Sequence, residues 1–127
     1  MKKIGFISSN KVLVQSLFEA IKSRPELKFE TFQLFKLNQV VIDAQVLEID
    51  VAIIDIIDGT SSETASLLVS CRQMRSAVPD CHILFLLSQE DQEGKNVAIS
   101  AVKEGMVDDF VFYDTSLQYL FAKMSAF

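Results

Sequence analysis

The stretch VAIIDIIDG, residues 51–59, decides the fold. Four apolar residues, Val51 to Ile54, run straight into Asp55. A continuous run rich in β-branched residues is the pattern of a strand covered on both faces, whereas a strand with one wet face would alternate. Asp58-Gly59 then offers a turn. Ser61 or Ser62 can cap a helix over 61–75, with Leu67, Cys71 and Met74 on one stripe. This is one strand–turn–helix unit with an aspartate where the strand ends. The functional question is whether that aspartate is a working group or the remnant of one.

The same unit repeats along the chain. Lys3–Ile7 reads as a short apolar strand. A helix follows over 11–23 with Leu13, Leu17, Ala20 and Ile21 inward, capped by Ser9 or Asn10 and closed before Pro25. Residues 27–34 alternate in part and read as an edge strand. The segment 37–47 reads as a helix with Val40, Val41, Ala44 and Leu47 inward. Ile83–Leu87 is a second continuous apolar strand. A helix over 95–104 carries Val97, Ala98, Ala101 and Val102, with Gly105 at its C-terminus. Phe110–Phe112 is the fifth strand. Thr115 or Ser116 caps a last helix bearing Leu117, Leu120, Phe121 and Met124. Five βα units predict an α/β doubly wound (βα)₅ domain, flavodoxin-like, with a parallel sheet in the order 2-1-3-4-5. In such sheets ligands sit beyond the carboxyl ends of the strands. The residues to read are therefore 8–10, 55–59, 88–91 and 113–114.

Composition narrows the function. A length of 127 residues fits one domain, residues 1–127, and half the residues are hydrophobic, enough for a substantial core. Ten Phe and no Trp mean rings without polar handles. Twelve basic against 17 acidic residues give a net charge of −5, which argues against a nucleic-acid surface. Cys71 and Cys81, ten apart beside the single His82, fit neither a zinc site nor a disulfide framework; they read as reduced thiols, and His82 as a strand-edge residue. The start lacks a signal-length apolar segment, and no run approaches the roughly 18 residues that cross a bilayer. A cytoplasmic domain without membrane contact is expected, standing alone or forming the N-terminal part of a longer chain.

Three stretches together carry a resemblance: IDVAIIDIIDG (49–59), FLLSQED (85–91) and EGMVDDFVFYD (104–114). Over essentially its whole length the chain resembles the receiver domain of bacterial response regulators. The most specific piece is Gly105 followed by Val107-Asp108-Asp109-Phe110, close to the family's G-x-D-D-[YF]-L-x-K-P run. The resemblance implies that Asp55 stands at the phospho-acceptor position, Ser88 at the hydroxyl that contacts the phosphoryl group, and Phe110 at the switch aromatic. It also exposes departures. Ser8 and Ser9 occupy the places of the acid pair that helps hold Mg²⁺. Tyr113 replaces the lysine, and Asp114 the proline after it.

These departures make the pocket degenerate. Mg²⁺ favours carboxylate and phosphate oxygens; here Asp55 faces neutral hydroxyls, so the expectation is no cofactor, with Mg²⁺ only if the pocket is functional. Asp55, Asp58 and Asp114 are the weak metal candidates, and Glu90 and Asp91 share the same edge. Tyr113 can offer Asp55 a hydroxyl donor where the lysine offered a charge. The leading reading is a pseudo-receiver: a regulatory protein–protein interaction module, not an enzyme, independent of phosphorylation. Its partner surface, for another protein or a second copy, would be the face of the fourth helix, fifth strand and fifth helix, where Val111, Tyr119 and Phe127 can leave apolar area exposed. Two alternatives stay open. One is a genuine receiver phosphorylated at Asp55 within a phosphorelay. The other is a small-ligand binder, in which GTSS (59–62) presents hydroxyls and helix amides to an anion.

Overall fold

The computed structural model describes residues 1–34 and 37–127. Five strands form one parallel sheet in the order β2-β1-β3-β4-β5: β1 (Lys2–Ile7), β2 (Phe29–Gln33), β3 (Val51–Ile56), β4 (His82–Leu87) and β5 (Asp109–Phe112). The connecting helices are α1 (Lys11–Lys22), α2 (Val40–Leu47), α3 (Ser62–Ala77), α4 (Gln92–Lys103) and α5 (Leu117–Ala126). The expected topology is the observed one.

The strand periodicity sorts the core into two layers. Ile54, Ile56, Phe85 and Leu87 face one cluster with Leu67, Met74 and Ala98; Val51, Ile53, Leu84 and Val111 face the other with Leu17, Phe121 and Met124. All six residues of β3 are buried, which is why its run is apolar at every position but Asp55. Asn10, Ser61 and Ser116 cap α1, α3 and α5 through side-chain oxygens, each accepting from a backbone amide three residues on. Gly105 follows α4 at φ 74°, the left-handed position that ends a helix.

Several expectations need correction. The segment 37–47 begins as a 3₁₀ turn, Leu37–Gln39, and becomes α-helical only from Val40. The 27–34 strand starts two residues later, because Pro25–Leu27 forms a 3₁₀ turn. Leu117 is exposed: it sits in the first turn of α5, beyond the edge of the sheet. Val111 is buried against Leu120, Phe121 and Met124, since β5 points alternate residues inward and Val111 is its inward one on that side. Phe127 is half-buried and stacks on His82 at 4.8 Å. His82 is indeed an edge residue, and both thiols are free and buried; burial pushes Cys71 up to about 12 and Cys81 up to about 11.

The amino edge of the sheet is tied by Asp108, half of the Asp-Asp pair singled out in the sequence. Its carboxylate accepts from Arg75 at 2.6 Å and from the Ile83 amide at 2.7 Å, and His82 Nδ1 lies 3.4 Å away. Arg75 Nε also donates to the Met106 carbonyl. The cluster joins the end of α3 to the starts of β4 and β5. Burial pushes the Asp108 carboxyl up, but the Ile83 amide and the Arg75 guanidinium outweigh it and hold the group below its ordinary value. A lowered carboxyl contributes stability above its unfolded pKa and loses it as pH falls through the folded one. Asp108→Asn is therefore expected to cost about 2 kcal/mol at neutral pH. The loss should shrink as pH falls below about 4, as urea midpoints across pH would show.

Candidate functional site

The parallel register builds the site. β1 pairs with β3 so that Ile7 lies opposite Ile54. The next residues, Ser8 and Asp55, are therefore neighbours, and Ser8 Oγ donates to Asp55 Oδ2 at 2.7 Å. Asp55 is 7 % exposed. Its second oxygen, Oδ1, is buried without a hydrogen-bond partner among the described residues. Burial pushes the Asp55 carboxyl above its ordinary value, and the Ser8 hydroxyl pulls it only part of the way back.

The other predicted groups are placed elsewhere. Tyr113 does not answer Asp55; its ring is substantially exposed and its amide donates to the Leu87 carbonyl. The reason is spacing: β4 stands between β3 and β5, so the two lie about 10 Å apart, and a rigid phenol does not bend across as a lysine chain does. Ser88 Oγ accepts from the Glu90 amide and serves its own turn. Ser9 is exposed at the rim. Phe110 is partly buried, edge-on to Phe112 at 5.8 Å.

The acidic residues at this edge have local duties. Asp58 Oδ1 accepts from the Thr60 amide and hydroxyl, bonds that lower its pKa. Asp91 caps α4 by accepting from Gly94 and reaches across to the Gly59 amide at 2.9 Å. That clamp brings two backbones so close that a methyl on Gly59 would lie 2.2 Å from the Gly94 nitrogen, so only glycine fits. Glu90 and Asp114 are exposed and outside the pocket beside Asp55. Within GTSS, Ser61 caps α3 by accepting from the Thr64 amide and Thr60 is engaged with Asp58, while the Thr64 hydroxyl just beyond donates to the Asp58 carbonyl. No group of three acid, histidine or cysteine side chains placed to hold a metal ion occurs among the described residues. The donor set does not fit Mg²⁺, which needs several hard oxygen ligands.

A pocket of about 280 Å³ opens beside Asp55. Lys11, Gln33, Glu63 and Thr64 line it with Ser8 and Ser9, and sequence reading missed these four. They lie at the ends of different elements, and no spacing in the chain signals their convergence.

Solved structures share this arrangement of elements. A two-component response regulator from Clostridium difficile superposes with a TM-score of 0.75 at 18 % identity, over 99 % of this chain and 94 % of that one. The HemR receiver domain from Leptospira biflexa gives 0.71 at 12 % identity, over 99 % and 93 %. The chain has the response-regulator receiver fold. An adenylate cyclase from Rhodopirellula baltica also matches, with a TM-score of 0.76 at 17 % identity over 98 % and 85 %, so the receiver fold alone does not fix an activity. No protein-family model and no curated protein matches the sequence. No helix among the described residues is long and apolar enough to cross a membrane.

The raised carboxyl carries a stability consequence. Folded Asp55 keeps its proton to higher pH than unfolded Asp55, so the folded state binds more protons there and stability falls as pH rises through about 4. Asp55→Asn removes that fall while keeping an acceptor for Ser8. At pH 7 the variant is expected to match or exceed the parent by up to about 1 kcal/mol. The gap should close in acid. Urea midpoints at both pH values measure it; a loss of about 3 kcal/mol or more would reveal a tightly paired carboxylate.

Proposed function

We propose that this domain is a regulatory module of the receiver type that signals through protein contact, without phosphotransfer at Asp55. The carrying observation is the environment of Asp55: one carboxylate held by a neutral hydroxyl, with no cation paired to it among the described residues. Phosphoryl transfer spreads negative charge over the oxygens of the moving group, and compensation of that charge is the main catalytic contribution. Here Ser8 and Ser9 stand where acids would hold a metal, and Tyr113 where an ammonium would reach in. Lys11 lines the pocket but forms no ion pair with Asp55.

The partner surface in this reading lies around α4, β5 and α5. Ile99, Tyr113, Leu117 and Tyr119 are all at least 42 % exposed there, although Val111 is buried and Phe127 only half-exposed. In this reading the face takes a protein partner or a second copy. The module has no catalysis of its own in this reading and no resident cofactor.

Two measurements test it. Incubation with acetyl phosphate and Mg²⁺ should leave the intact mass unchanged; a phosphoryl increment that disappears in Asp55→Asn would make this a phosphorylated receiver instead. Mg²⁺ at millimolar concentration should leave the melting temperature where a monovalent salt of matched ionic strength leaves it. A ligand that binds only the folded state raises stability once its concentration approaches Kd, so a specific rise would refute the metal-free pocket.

A further inference from the structure

Two loops at the carboxyl edge are joined by one carboxylate and two glycines. Asp91 stands at the start of α4; its Oδ1 accepts from the Gly94 amide and its Oδ2 from the Gly59 amide of the β3–α3 loop, both at 2.9 Å. The first bond is an ordinary helix cap. The second crosses between loops 32 residues apart in the chain. The residues at the contact are fitted to that crossing. A Cβ on Gly94 would run into the Asp91 carboxyl group, 2.4 Å from Oδ2 and 2.7 Å from Cγ. Capping alone makes no such demand: the third helical position behind a cap carries a side chain, Glu or Gln, in the capping box. Nor does the backbone, since Gly94 sits in the regular turn of α4 and the glycine at positive φ is Gly105. Glycine is unfavourable in a helix relative to alanine. Its place here leaves the space from which Oδ2 reaches Gly59. Gly59 answers from the other side: a Cβ there would lie 2.2 Å from the Gly94 nitrogen and 2.5 Å from the Glu93 carbonyl carbon.

We propose that Asp91, Gly59 and Gly94 form a latch that makes the β3–α3 loop and the start of α4 one mechanical unit. The loop it holds is a wall of the pocket beside Asp55, for Ile57 and Ser61 on either side of Gly59 both line that pocket. Within the loop, the Asp58 side chain accepts from the Thr60 amide and hydroxyl, and its carbonyl accepts from the Ser61 amide and the Thr64 hydroxyl. The loop is therefore a compact turn, and the Gly59 bond attaches the whole turn to α4. On the other side, the Asp91 amide donates to the Ser88 carbonyl and the Asp91 carbonyl accepts from Lys95, so the carboxylate is anchored to the end of β4 as well as to the helix. While the latch is closed, a displacement of the pocket wall is passed to α4 and the reverse; a local opening of the contact frees both loops, and such openings are measurable equilibria. The latch rests on this geometry alone. Under the signalling reading it is what ties the Asp55 edge to α4, one element of the partner face.

The test is amide exchange with water on the ¹⁵N-labelled chain, in variants that open the latch from each side. Asp91→Ser keeps an oxygen to cap α4 but has no second one for Gly59. Gly94→Ala displaces the Asp91 carboxyl group while favouring the helix. Both should speed exchange of the Gly59 amide about tenfold or more, as the loss of a bond to a charged acceptor implies. The amides of Ala98 and Ala101 in α4 should keep their protection. Gly59→Ala presses on the Glu93–Gly94 peptide from the pocket side, and it should speed exchange at Gly94 and Lys95 across the gap. Unchanged exchange at Gly59 in either of the first two variants would make Asp91 a helix cap only. Effects of Gly59→Ala confined to residues 57–61 would make the two loops independent. Either result overturns the proposal. Should Gly59→Ala not fold, Asp91→Ser and Gly94→Ala decide alone. The acetyl phosphate mass measurement reports separately on phosphotransfer, so the two readings fail independently.

Discussion

Burial of β3 on both faces is the constraint from which the rest of this structure follows. Val51 to Ile56 lie at the centre of the sheet between β1 and β4, and every one of them is buried. Two helical layers must cover such a strand, so the crossovers from β1 and β4 run on opposite sides and the order β2-β1-β3-β4-β5 results. The same burial carries Asp55 to the end of the strand with little water around it. A carboxylate in that position loses solvation, and the loss is what raises its pKa. The fold and the peculiarity of the site thus have one source.

The chemistry at the carboxyl edge is defined by what its acidic residues already do. Asp91 is spent on capping α4 and on holding the Gly59 amide; Asp58 is spent on Thr60. These bonds shape the β3–α3 and β4–α4 loops, and they engage the Asp58 and Asp91 carboxylates away from Asp55. What converges instead, among the described residues, is a mixture of hydroxyls, apolar wall and a few charged chains. In the proposed reading such a lining leaves a transferring phosphoryl group without compensation of its charge.

The opposite edge answers a different need. Asp108 there gathers Arg75, the Ile83 amide and His82, and neighbouring Asp109 pairs with Lys123 of α5. The Asp-Asp pair that marks the resemblance to receivers is in this chain a fastening for β4, β5, α3 and α5. It lies away from Asp55, so its presence speaks for the fold and says little about phosphotransfer.

The sequence by itself determined the periods. Continuous apolar runs at 51–54 and 83–87 marked buried parallel strands, and helical stripes preceded by the capping pairs Ser9-Asn10, Ser61-Ser62 and Thr115-Ser116 marked where helices begin; from these the topology and the position of Asp55 followed. These features are legible because periodicity and capping are local and depend on residues a few positions apart. Only the tertiary structure decided which side chains meet. It placed Ser8 against Asp55 and left Oδ1 without a partner among the described residues, kept Tyr113 two strands away, turned Val111 inward, and brought Lys11, Gln33, Glu63 and Thr64 to one pocket. The physical reason is that such meetings depend on strand register and on the hydrogen bonds of separate loops, and a residue's own neighbours in the chain encode neither.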